Sequence, residues 1–198
     1  MKQAALGFHS HSGWTALVAV SLDQGSPRVL LRQRPHLVKT FTFEFRQPYH
    51  TAEKRPLAEA RTFILDVQAE ARRLAYESIH LVQTDLQKRG YELGHCGLLL
   101  ASGRPLPELA QILASHALIH AADGELFREA LLHASERCGC AMYSARESKL
   151  LEVASHALDQ QPGELACRLA DIGRPLGPPW SQDEKFAALV AWLSLVAK

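Results

Sequence analysis

Gly97-Leu98-Leu99-Leu100-Ala101 is an unbroken apolar run that stops at the breaker Ser102-Gly103-Arg104-Pro105-Leu106-Pro107. A short run with no polar alternation is expected of a central strand buried on both faces. What precedes it decides how the chain reaches that strand. From about Ala52 to Lys88, Leu57, Ile64, Val67, Ala71, Leu74, Leu81 and Leu86 recur at helical spacing among Glu, Arg and Gln, and Gly90 is a natural stop. Pro56 is tolerated only in the first turn. A one-sided helix of this length covers a sheet, and a crossover of this kind joins strands that run parallel.

Towards the N-terminus, Ala4 to Phe8 reads as a strand ending in the polar turn His9-Ser-His-Ser-Gly13. Trp14 to Leu22 is a second strand, Asp23 to Pro27 a turn, and Val29 to Arg34 a third strand. The short links predict an antiparallel meander. Lys39 to Phe45 alternates strictly, with Phe41, Phe43 and Phe45 on one face, as in an extended connection or an extra edge strand. Towards the C-terminus, Glu108 to Ala114 reads as a short helix. Ala117 to Arg137 reads as a longer one, broken or closely packed at Gly124. Cys140 to Ser144 is a short strand, and Glu147 to Leu158 and Leu165 to Ala170 are helical. Ser181 N-caps a last helix from Gln182 to Val196, with Glu184 completing a capping box and Trp180 stapling the helix to the body.

The expected architecture is α/β: a three-strand antiparallel meander, a long helix, then parallel strands, in one mixed sheet flanked by helices. It spans residues 1–198 as one domain, with a core over 1–160 and the loop and closing helix of 161–198 packed on it. With the usual right-handed crossover, strand four lies beside strand one. Ligands of open α/β sheets bind where such strand ends meet, which predicts a site near His9 and Ser102.

Composition narrows the class. Of 198 residues, 47% are hydrophobic and 22% charged, a globular balance with no need of disulfides or a structural metal. Lys and Arg number 22 against 21 Asp and Glu, so any basic surface is local. Only Cys138 and Cys140 of the four cysteines are close, as Cys-Gly-Cys, which suits reduced thiols in a cytosolic protein. The polar residues from His9 to Ser12 interrupt what would otherwise pass for a signal peptide, and no run is long enough for a membrane span. The expected location is therefore the cytoplasm, with no membrane partner.

Four segments carry a family resemblance. They are Leu6-Gly-Phe-His9 with Ser12-Gly-Trp-Thr-Ala16; Leu98 to Ser102; Ala117-Leu118 through Gly124; and Asp183 to Trp192. In order and spacing the chain resembles the ribonuclease H-like fold, and within it the RuvC-type Holliday-junction resolvases. The resemblance implies a nuclease that holds two divalent ions in a cage of carboxylates. The matching positions depart from that cage. His9 stands at the first-strand Asp position, Ala101 or Ser102 at the fourth-strand Glu position, and Ala187 at the closing-helix acidic position, with Asp183 and Glu184 a turn earlier. Hard cations need oxygen ligands, so three absent carboxylates predict no magnesium-dependent cleavage. Asp183 or Glu184 reaching the site softens that expectation only slightly.

The candidate ligand-binding residues are His9, His11, Ser102, Arg104, His116 and His120. His116 and His120 share a helix face, and with His9 and His11 they offer an alternative reading as a hydrolase's histidine site for zinc or another transition metal. Hydrogen-bonded packing histidines explain the same spacing. Asp123, Arg128 and Glu129 line the cleft with His116 and His120, or Glu125 and Glu129 with Arg128 form a solvated face. Arg104, and Arg28, Arg32 and Arg34 on one face of a strand, offer a nucleic-acid patch or ordinary edge protection. Ser10 and Ser12 lack the strand-to-helix turn that frames a nucleophile. The leading expectation is a non-catalytic or catalytically altered ribonuclease H-like module that binds nucleic acid or a ribonucleoprotein, without a cofactor. A homodimer through the long helix or the Phe41-Phe43-Phe45 segment is a third reading.

Overall fold

The computed structural model describes residues 1–101 and 105–197. Five strands form one mixed sheet: β1 (Lys2–His11), β2 (Trp14–Asp23), β3 (Ser26–Gln33), β4 (Tyr91–Leu100) and β5 (Ala141–Arg146). Their order is β3-β2-β1-β4-β5. β1, β2 and β3 are the antiparallel meander, while β4 is parallel to β1 and β5 to β4. This is the expected α/β sheet, with strand four beside strand one.

Before the long helix come two short ones, α1 (Phe43–Arg46) and α2 (Pro48–Ala52). Of the two readings of Lys39 to Phe45, the edge strand is therefore corrected. No neighbouring strand pairs with it, and its three aromatic rings take separate partners instead of one face. Phe41 stacks on His36 and under the Arg46 guanidinium, Phe45 meets Phe63, and Phe43 is exposed. Phe41 and Phe43 stay exposed, but the three rings do not share one strand face.

The crossover is α3 (Leu57–Lys88), which starts after Pro56 rather than at Ala52. Its buried seam is Ala60, Ile64, Val67, Ala71, Ala75, Ile79, Val82 and Leu86, a three-four spacing that keeps one stripe against the sheet. Leu57 and Leu81, assigned to that stripe by period, are exposed. Next come α4 (Leu109–Leu113) and α5 (His116–Arg137), which packs beside α3. α5 runs through Gly124 without a break, and the Arg128 guanidinium lies over that glycine. After β5, a 3-10 turn leads into α6 (Leu150–Leu158), then α7 (Pro162–Asp171) and α8 (Gln182–Val196).

The sheet separates two apolar cores. Ala4, Leu6, Phe8, Leu17, Ala19 and Leu98 face α3 and α5. Ala5, Ala16, Val18, Val20 and Leu99 face α8. Period-two alternation puts His9 and His11 on the α8 face with Ala5 and Gly7. α8 is buried continuously from Ala187 to Ser194, as befits a helix apolar on every side. It lies against the sheet because Gly7 and Gly97 are paired neighbours on β1 and β4. A Cβ on Gly7 would overlap the Ala187 carbonyl, and one on Gly97 the Val190 carbonyl. The glycine pair thus makes a trough for the helix backbone and fixes where the first turn of α8 stands. No helix among the described residues is long and apolar enough to cross a membrane.

Candidate functional site

β1 continues through the segment read as a turn, so His9 and His11 are strand residues on one face, ring centroids 4.7 Å apart. His11 stacks on Trp14, its direct cross-strand partner, at 4.3 Å. Above them sits the first turn of α8. Ser181 caps it, accepting from the Asp183 N–H, and Glu184 closes the expected capping box. That turn aims Asp183 at both imidazoles: Asp183 Oδ1 is 3.1 Å from His11 Nε2 and 3.3 Å from His9 Nδ1. The His9 contact has the range of an ion pair but not the geometry of a hydrogen bond, so this buried Nδ1 lacks a hydrogen-bond partner. On the other side of the ring, His9 Nε2 is 3.3 Å from Glu147 Oε2.

Arg34 closes the arrangement from just beyond β3. Its Nε donates to Glu184 Oε1 at 2.6 Å, its Nη2 donates to Ser181 Oγ at 3.1 Å and lies 3.7 Å from Asp183 Oδ2, and its guanidinium stands over Trp14. Burial alone would raise the Glu184 carboxyl, but hydrogen bonds from Arg34 and Ser181 outweigh it and lower its pKa to about 2. Burial and the neighbouring His9 lower the His11 pKa, against the opposing pull of Asp183. Beside His9, Leu100, Ala101, Glu147, Ser148 and Phe186 line an open depression of about 380 Å³. An imidazole between two carboxylates at the edge of such a depression can meet a bound group or a borderline cation.

Several expectations change here. The closing-helix position assigned to Ala187 is fully buried against Gly7, and it is Asp183, one turn earlier, that reaches the site. With Glu147, two carboxylates stand at a centre expected to lack them. The four candidate histidines do not converge: His116 and His120 lie on α5, on the opposite face of the sheet from His9 and His11, and gather with His50. The sheet itself separates the two pairs. Ser102 and Arg104 lie outside the described residues. Of the basic stretch, Arg32 donates to the carbonyls of Leu176, Gly177, Pro178 and Pro179, and Arg34 is held by Glu184, so neither is a free phosphate contact. Glu129 pairs with Arg72 and Arg128 with Glu125, while Asp123 is buried against His50. Alternation turns Ser10 away from the histidines it neighbours in sequence. No local period links Arg34, His50 and Glu147 to the residues they meet, so the sequence pattern does not reveal them as site partners.

Among solved structures, the chain matches Thermus thermophilus RuvC in complex with a Holliday junction substrate. The match has a TM-score of 0.56 and 12% identity, covering 98% of this chain and 93% of that one. This chain has a RuvC-like, ribonuclease H-like fold. A second Thermus thermophilus RuvC structure matches at a TM-score of 0.52 and 13% identity, over 96% of this chain and 92% of the other. At these identities the likeness is one of fold. No family model matches the sequence, and no curated protein matches it. The donor set at the end of β1 mixes imidazoles with carboxylates. Two of the nearest groups are imidazoles, Asp183 is shared by His9, His11 and Arg34, and Glu184 is engaged by Arg34 and Ser181.

Proposed function

We propose that this chain is a catalytically altered ribonuclease H-like protein that binds nucleic acid as a binding or scaffolding module, without magnesium-dependent cleavage. The observation that carries the reading is His9 held between Asp183 and Glu147, at the strand end where the resemblance implies an all-carboxylate cage. Asp183 is shared among His9, His11 and Arg34, and imidazoles occupy positions around it that hard cations would need filled by oxygen donors. Nucleic acid as the ligand class is supported by the RuvC structure bound to a Holliday junction, which makes a four-way DNA junction the first probe. Arg32 and Arg34 are engaged internally and the chain is nearly neutral, so binding is modest and is weakened by salt in proportion to the phosphates contacted.

Mobility shifts with a four-way junction, a duplex and a structured RNA, at about 50 and 200 mM salt, test this. The expected result is a low-salt complex that dissolves at the higher salt and stays uncut when magnesium is added. Magnesium-dependent cleavage lost in Asp183→Asn would overturn the altered-catalysis reading, and no shift for any probe would overturn the binding reading.

A second reading has one observation in its favour. Ligand atoms of His9, His11 and Asp183 lie within 4.8 Å of one another, a set suited to a transition-metal hydrolase. Metal uptake lost in Asp183→Asn, together with metal-dependent hydrolysis, would favour it over the binding module.

A further inference from the structure

The second histidine cluster stands on the far side of the sheet. His50 belongs to α2, and His116 and His120 lie one turn apart on α5. A ring nitrogen from each lies within 4.8 Å of the others. The rings meet steeply: His50 to His120 at 4.4 Å and 69°, His116 to His120 at 4.5 Å and 80°, and His50 to His116 at 5.3 Å and 89°. The Nε2 atoms of His116 and His120 are 3.1 Å apart. Two imidazoles on one tetrahedral zinc, with Zn–N of about 2.0–2.1 Å, put their nitrogens about 3.3 Å apart.

Behind the cluster is a carboxylate that nothing at the surface requires. Asp123 is buried, one turn beyond His120 on the same stripe of α5. Its Oδ1 accepts from the Tyr49 N–H at 2.7 Å, and its Oδ2 is 2.5 Å from His50 Nδ1. A carboxylate only accepts, so Nδ1 of His50 carries the hydrogen and Nε2 keeps the lone pair. This carboxylate–imidazole pairing is the arrangement that orients a metal-binding histidine and raises its basicity. The cluster stands at the N-terminal end of α5, where the helix dipole disfavours a cation, and Asp123 supplies compensating negative charge.

We propose that His50, His116 and His120 form a zinc site with Asp123 as the positioning residue behind His50. Three imidazoles suit a borderline divalent cation, whereas magnesium and calcium require oxygen donors. His116 and His120 are exposed, so the fourth position is open to water or an external donor, the pattern of zinc sites that take a further ligand. The ion would also tie α2 to α5. The proposal is independent of the nucleic-acid reading.

The test uses the full-length, untagged protein stripped with a chelator. Zinc is titrated by calorimetry, and cobalt(II) by its visible absorption as a tetrahedral reporter. Wild type is expected to take up zinc at micromolar affinity or better. His120→Gln and His116→Gln, both at exposed positions, are expected to lose one equivalent with the circular dichroism unchanged. Asp123→Asn is expected to weaken the same equivalent by about 10–100-fold. Asp183→Asn, on the other face, should leave it untouched. No uptake at micromolar zinc, uptake unchanged in both His→Gln variants, or uptake removed by Asp183→Asn would overturn the proposal. The last result would assign the metal to the β1 cluster.

Discussion

The two faces of the sheet carry the same residue type in opposite electrostatic settings. At the end of β1, His9 is buried with a carboxylate oxygen 3.3 Å from each ring nitrogen, and Arg34 neutralises the remaining acidic groups of α8. Across the sheet, three imidazoles face one another with a single buried carboxylate behind one of them. The first setting places histidine between carboxylates, one of which also lies near Arg34. The second gathers a ring nitrogen from each of three imidazoles within 4.8 Å of one another. An imidazole's role is set by what stands behind it, and that is a property of the packing.

The contrast rests first on the trough that seats α8. Gly7→Ala would force a methyl into the Ala187 carbonyl, lifting the helix and withdrawing Asp183 from His9. A loss of about 3 kcal/mol is expected in denaturant unfolding. His116→Gln should leave the midpoint unchanged. Equal losses in both variants would mean the two faces are not separately built.

A smaller effect is expected on the other face. Asp123→Asn removes the acceptor charge from both the Tyr49 N–H and His50, at a cost of about 1–3 kcal/mol in the metal-free protein. Thermal unfolding in chelator would measure it, and no loss would show that the carboxylate matters only once metal is bound.

The subtlest effect is in pH. Glu184 titrates at about 2 in the folded protein against an ordinary value of 4.5, so the unfolded chain binds the proton more readily between those values. Its contribution is fully present above about pH 4.5 and is lost as pH falls towards about 2. Glu184→Gln should flatten that acid limb, as read from unfolding midpoints across the range. His11 adds a loss in the same direction nearer neutrality, since its lowered pKa makes protonation unfavourable in the folded state.

The sequence carried the element order well because each element announces itself locally. The apolar run at Gly97 to Ala101, the one-sided pattern into Leu86 and the Ser181–Glu184 box are short-range signals that survive in the fold. The segment from Lys39 to Phe45 shows the limit of such signals. Alternation describes a strand only if another strand offers a ladder, and none does there. The site was legible in part. His9 and His11 on one face, and His116 and His120 one turn apart, follow from period alone. Their true partners, Asp183, Glu147 and Arg34 for the first pair and His50 with Asp123 for the second, do not.

By itself, then, the sequence determined a mixed α/β sheet, the placing of strand four beside strand one, and the pair of histidines at the end of the first strand. These depend on hydrophobic period, turn residues and the handedness of crossovers, all of which act along the chain. Only the tertiary structure decided that the histidines divide between two faces, that Asp183 rather than Ala187 reaches the first, and that Arg34 is consumed there. Those outcomes depend on a helix settling onto paired glycines more than eighty residues apart in sequence, a contact no local pattern can register.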